Sequence, residues 1–144
     1  MKVYIAGPMA GYPEFNYPAF NRVEDALLRA GESVVNPAKL DGHDSLGDGL
    51  DPEGGTGVTA KLRAEFLKRD FAHLATCDAI AMLPGWEYST GANAELLMAR
   101  IMDLSVFVVY DDGGRPPIFW HAPTLSPLWT SVREHVTQLD GERR

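Results

Sequence analysis

Ala79-Ile80-Ala81-Met82-Leu83-Pro84-Gly85-Trp86-Glu87-Tyr88-Ser89-Thr90-Gly91-Ala92-Asn93-Ala94-Glu95 decides how this chain folds. Ala79 to Leu83 is an uninterrupted apolar run, the pattern of a strand buried on both faces. Pro84-Gly85 ends it, hydroxyls follow at Ser89 and Thr90, and Glu95-Leu96-Leu97-Met98-Ala99-Arg100-Ile101-Met102 reads as a helix. A strand, a glycine-bearing turn and a helix N-terminus make a seat for an anionic or sugar-like ligand, because unpaired amides and the helix dipole point into the turn. Helical spacing places Ala94, Leu97, Met98 and Ile101 in the buried stripe, with Glu95 on its flank beside Ala99 and Met102. Glu95 then lies about one turn into the helix, facing the same mouth, where a carboxylate can serve as nucleophile or base. The plain alternative is a first-turn acid that complements the macrodipole.

Outward from this stretch the same alternation repeats. Val3-Tyr4-Ile5-Ala6 is a short strand broken by Gly7-Pro8, and Pro18 opens a helix in which Phe20, Val23, Leu27 and Ala30 share a face before Gly31 ends it. Ser33-Val34-Val35 is a second strand, closed by Asn36-Pro37. Residues 41–57 are rich in Gly and Asp and read as a flexible loop; the acids lack the regular spacing of a calcium loop. Thr59 to Ala75 reads as a helix with Leu62, Phe66, Leu67, Phe71 and Leu74 near one side. Val106 to Tyr110 is a further strand, Asp111 to Gly114 a turn, and Arg115-Pro116-Pro117 continues as loop. A last helix is expected over about Leu128 to Leu139, with residues 140–144 as a tail. The fold class is therefore α/β: one domain, residues 1–144, a doubly wound, Rossmann- or flavodoxin-like, mostly parallel sheet with helices on both faces.

Composition narrows the functions. A net charge of −7 opposes binding to a nucleic acid polymer, although backbone amides can still hold a small phosphate. No apolar run approaches membrane-spanning length. The one cysteine, Cys77, cannot form an internal disulfide and falls where a buried helix end is expected, which fits a reducing cytoplasm. Neither a metal nor a cofactor is expected. Gly7 to Gly11 has neither the lysine of a P-loop nor dinucleotide-binding glycine spacing. In a doubly wound sheet, ligands bind beyond the carboxyl ends of the strands. That rim would gather Gly7 to Gly11, Asn36, the Trp86 to Glu95 segment, Asp111 and Asp112.

Three segments, in order, carry a resemblance: Tyr4-Ile5-Ala6-Gly7-Pro8-Met9, then Arg69-Asp70 with Cys77-Asp78, then Ser89-Thr90-Gly91-Ala92-Asn93-Ala94-Glu95. Together they resemble the nucleoside 2-deoxyribosyltransferase superfamily, including 2′-deoxynucleoside 5′-phosphate N-hydrolases and small bacterial and phage proteins with an Ala-Gly-Pro-Met start. The resemblance spans most of residues 2–110 and implies an N-glycosidase acting on a (deoxy)nucleoside 5′-monophosphate. A base-exchanging deoxyribosyltransferase and a non-catalytic nucleotide-binding module are the alternatives. It implies Glu95 as nucleophile, Asp70 as second catalytic acid and Tyr4 as an assisting group. Gly7, Pro8, Met9, Trp86, Ser89 and Gly91 become substrate-binding candidates, Ser89 as a phosphate contact. It also implies a homodimer or larger homo-oligomer.

Two departures stand out. Pro8 and Ala10 occupy positions where the N-hydrolases carry a serine and an arginine that meet phosphate, leaving Arg22 and Arg115 as candidate replacements. The transferases have an aspartate near Ser89, and this chain has none. The chemistry itself suits the carboxylates. Breaking an N-glycosidic bond builds positive charge at C1′, which a carboxylate can stabilise or bond, while a second acid orients the base or moves a proton to it. Asp70 could equally be an ordinary surface charge, Trp86 a core residue rather than a stacking platform, and Asp78 is expected to bind backbone amides.

Overall fold

The computed structural model describes residues 1–40 and 60–122. The expected 41–57 loop, the expected last helix and the tail lie outside these residues. The elements run β1 (Lys2–Ala6), α1 (Tyr17–Arg29), β2 (Ser33–Val35), α2 (Pro37–Leu40), α3 (Ala60–Leu74), β3 (Ala79–Met82), α4 (Thr90–Ile101), β4 (Ser105–Tyr110) and β5 (Ile118–Ala122). Short 3-10 turns at Pro13–Asn16 and Trp86–Tyr88 precede α1 and α4.

The sheet order is β2-β1-β3-β4-β5, with β1 to β4 parallel and β5 antiparallel to β4. The chain leaves β1 outward to β2 and returns to the other side of β1 as β3. The strand order thus reverses between β1 and β3, where a doubly wound sheet opens its ligand crevice. Alternation along the strands feeds two cores. Tyr4, Ala6, Ile80, Met82 and Val106 pack with Leu74 of α3 and Ala92, Leu96 and Ala99 of α4. Val3, Ile5, Ala79, Ala81, Leu83 and Val109 pack with Phe20, Val23 and Leu27 of α1 and Ala38 of α2. Helices thus cover both faces, as the apolar strands require.

Local sequence sets the ends. Gly31, at φ +85°, closes α1 with Gly31 N–H donating to Leu28 and Glu32 N–H to Leu27, at 3.0 Å each. This is the paired closure that satisfies the last carbonyls of a helix. Asp78 accepts from the Lys2 amide at 2.8 Å and so ties the start of β3 to β1, the structural role expected of it.

Three features depart from the sequence reading. α4 starts at Thr90, not Glu95, because Ser89 caps it: its Oγ accepts from the Ala92 amide at 3.2 Å. The buried face of α4 is Ala92, Glu95, Leu96 and Ala99, whereas Leu97 and Ile101 are exposed. The small Ala92 and Ala99 lie against the sheet with Leu96, so periodicity weighted by bulk set the stripe off its true line. β5 follows Pro117 directly, where no element was assigned from the sequence; among the described residues it is an edge strand paired with β4. No helix among the described residues is long and apolar enough to cross a membrane.

Candidate active site

Tyr4, Asp70 and Glu95 come from three elements and meet on the α3/α4 face of the sheet. Tyr4 is fully buried on β1, between partners Val35 and Ile80. Glu95 is also buried, at 7% exposure, on the face that α4 turns to the sheet. Asp70 lies four residues before the fully buried Leu74 on α3, and its side chain is only 14% exposed. The surface-charge alternative for Asp70 does not hold. A first-turn acid that merely complements a dipole would face water, and Glu95 does not.

Electrostatics ties the three together. The Tyr4 phenol is pushed far above its usual range, first by burial, then by the Glu95 and Asp70 carboxylates, with Arg69 acting the other way. The hydroxyl therefore keeps its proton at any physiological pH and can act only as a neutral donor or acceptor. Part of that push comes from a side-chain hydrogen bond with Glu95, so the hydroxyl and that carboxylate face each other.

The rim is built by close backbone approaches. A Cβ at Gly7 would lie 2.6 Å from Leu83 Cβ, so only glycine lets the chain leave β1 against the end of β3. Gly85, at φ +86°, has the Tyr12 hydroxyl 2.7 Å from where its Cβ would stand. Pro8 is buried, and its carbonyl accepts from Asn16 Nδ2 at 2.9 Å. Met9 packs against the α1 core. Gly91 has open space around its Cβ position in the first turn of α4.

Trp86 is 2% exposed and sits in the core cluster with Tyr4 and Met82, as the core-packing reading has it. Arg22 is engaged within the chain. Its Nε and Nη2 grip both oxygens of Asp111, at 3.1 and 2.8 Å, and further bonds reach the Gly113 and Arg115 carbonyls. This fork fastens the β4–β5 turn to α1, and Asp112 caps the same turn through the Gly114 and Arg115 amides. Asn36 is likewise engaged, donating to Glu24 and Asn21 and capping α2 at the Ala38 amide. Among the described residues no group of histidine, cysteine, aspartate and glutamate is arranged to hold a metal ion.

With this geometry in place, the family model for the domain of unknown function DUF4406 matches residues 1–108. The chain belongs to that family. No curated protein matches it at a significant level. Among solved structures, the DUF4406 chain is similar to a 2-deoxyribosyltransferase from the psychrotolerant bacterium Bacillus psychrosaccharolyticus. Identity is 24% and the TM-score 0.53, over 75% of this chain and 71% of that one. It is also similar to a CMP N-glycosidase of Clostridium botulinum, at 16% identity and TM-score 0.41, over 75% and 67%. The resemblance read from the sequence is borne out at the level of the fold.

Two residues beside the candidate site received no role from the sequence. Asn93 donates Nδ2 to the carbonyls of Trp86, Glu87 and Ser89, at 3.1, 3.1 and 2.8 Å, and so pins the turn before α4. Its signal was an amide in the first turn of a helix that follows an irregular turn. Arg69 holds the neighbouring Asp70 at 2.8 Å, a contact that adjacency on a helix does not suggest.

Proposed function

We propose that the chain is an enzyme that cleaves the base–sugar bond of a (deoxy)nucleoside 5′-monophosphate, with Glu95 as nucleophile. The observation that carries this reading is the pairing of a buried Glu95 carboxylate with the buried Tyr4 hydroxyl and Asp70 at the strand-order reversal. Burying a carboxylate costs several kcal/mol, and a site that gathers two around one phenol is arranged for chemistry rather than stability.

In the proposed reaction Glu95 stands beneath C1′. As the base departs, the carboxylate meets the growing positive charge and closes onto C1′, giving a glycosyl ester while the bonding electrons leave with the base. Asp70 orients the base and assists its protonation. Tyr4, held as a neutral phenol, steadies the Glu95 carboxylate without competing for the proton. Water then attacks the ester, freeing Glu95 and a sugar phosphate.

The phosphate would lie at the start of α4. Ser89 Oγ accepts from Ala92 there, which still leaves its O–H hydrogen to donate to a phosphate oxygen, and the amides near Gly91 add the helix N-terminus. Capping and phosphate binding are thus compatible in one hydroxyl. Base exchange is the second reading, favoured by the fold likeness to a 2-deoxyribosyltransferase.

The proposal includes a homodimer or larger homo-oligomer, for which Leu97 and Ile101 of α4 and Tyr88 offer exposed apolar side chains. It also includes a cytoplasmic location, where Cys77, its thiol pKa raised chiefly by burial, stays reduced. The test is to incubate the protein with a panel of nucleoside 5′-monophosphates and measure free base. Release that Glu95→Gln abolishes supports the proposal; no release from any nucleotide overturns it. Release only when a second base is supplied turns it to the transferase.

A further inference from the structure

Arg69 has no role in the reaction just described, yet it is built into the site. Neighbouring side chains on a helix normally diverge. Here Arg69 Nε and Nη2 both donate to Asp70 Oδ1, at 3.0 and 2.8 Å. The guanidinium also lies over the ring of Phe66, one turn back on α3, 5.1 Å from its centroid. An aromatic face and a carboxylate thus hold the planar group from two sides. Its side chain is 27% exposed and that of Asp70 14%, so the pair is partly shielded from water. The charged groups acting on the Tyr4 hydroxyl are Glu95 from α4 and Asp70 and Arg69 from α3, and Arg69 opposes the other two.

Two carboxylates that both act on one buried hydroxyl repel each other's charge, and a cation held against one of them offsets that repulsion. The proposed chemistry needs Glu95 ionised to meet C1′ and Asp70 held in one plane toward the base.

We propose that Arg69 is the positioning residue of this pair: its fork fixes the Asp70 carboxylate, and its charge lets Asp70 and Glu95 be ionised together beside Tyr4. For its catalytic meaning this inference rests on the N-glycosidase reading. The charge arrangement is measurable without turnover.

The experiment follows carboxyl carbons by NMR through a pH titration of protein labelled at Asp and Glu, with Asp70→Asn and Glu95→Gln assigning the signals. Arg69→Met keeps an unbranched stem over Phe66 and removes the charge and the fork; Arg69→Lys returns the charge alone. In folded Arg69→Met, one of the two carboxyls should titrate higher by about one pH unit or more. The acid limb of kcat should move up with it, and kcat at neutral pH should fall about tenfold or more. Arg69→Lys should restore the titration but not the full kcat, because an ammonium is a point charge without the fork. Unchanged titration of both carboxyls in folded Arg69→Met overturns the proposal. Should Arg69→Met fail to fold, wild-type kcat in Arg69→Lys overturns it and a lowered kcat with KM unchanged supports it. If the wild type releases no base from any nucleotide while the carboxyls shift as stated, the glycosidase reading fails and the electrostatic role of Arg69 stands.

Discussion

Replacing Asn93 with alanine tests how the rim of the site is held. Its Nδ2 carries two hydrogens and serves three carbonyls, those of Trp86, Glu87 and Ser89. Two of these keep another partner after the change, since the Ser89 amide donates to Trp86 and the Asn93 amide to Ser89, at 3.0 Å each. The Glu87 contact is exposed, so water replaces it. The loss is therefore that of about two net hydrogen bonds with no fully orphaned carbonyl, roughly 1–2 kcal/mol. In urea the midpoint should fall with an unchanged slope, and the melting temperature should drop by about 3–10 °C. Because the pinned turn carries Ser89, KM for a monophosphate should rise while that for the nucleoside moves less. Asn93→Asp has the same size but only acceptors, set against three carbonyls, so it should cost more than alanine. A stability change under about 0.5 kcal/mol for Asn93→Ala, or an Asp variant no worse than it, would refute this reasoning.

Gly7→Ala forces a Cβ to within 2.6 Å of Leu83 Cβ and should destabilise by roughly 1–3 kcal/mol in denaturant titration, a loss that Leu83→Ala in the same chain does not undo because alanine keeps that Cβ. Ser89→Ala removes the α4 cap, so about 1 kcal/mol of stability should go, together with the preference for monophosphates over nucleosides in a competition assay. The Arg22 guanidinium first, and the Gly113 amide with it, hold the Asp111 carboxyl below its usual range. Its stabilisation is therefore complete above the unfolded value near pH 4 and disappears as pH falls through the lower native value. Urea unfolding across pH should show wild type and Asp111→Asn differing by a constant amount above about pH 5 and converging below it.

The sheet was legible because buried parallel strands need continuous apolar runs; Val3 to Ala6 and Ala79 to Leu83 are buried throughout, and Val106 to Tyr110 continues the pattern at partial burial. Helix starts were harder to read. A cap such as Ser89 acts through one hydrogen bond, and nothing in its composition separates it from the hydroxyls around it. The face of α4 was misread because Ala92 and Ala99 are buried for their smallness, close to the sheet, while the bulkier Leu97 and Ile101 point away. β5 escaped notice because an edge strand borrows its order from its neighbour. Of the site, the three polar groups were named from the sequence, but only the fold brings β1, α3 and α4 to one place. Arg69 was quoted as part of a motif, but its role depends on a side-chain direction that helical spacing alone does not give.

The most direct test of the central claim is covalent. A 2-fluoro-arabinosyl nucleotide destabilises the oxocarbenium-like transition states, and where breakdown is slowed more than formation the glycosyl ester accumulates. Intact mass should rise by one fluorinated sugar phosphate less a water, and peptide mapping should place it on Glu95, with none in Glu95→Gln. An adduct on another residue, or no adduct together with no base release from any nucleotide, would contradict the account.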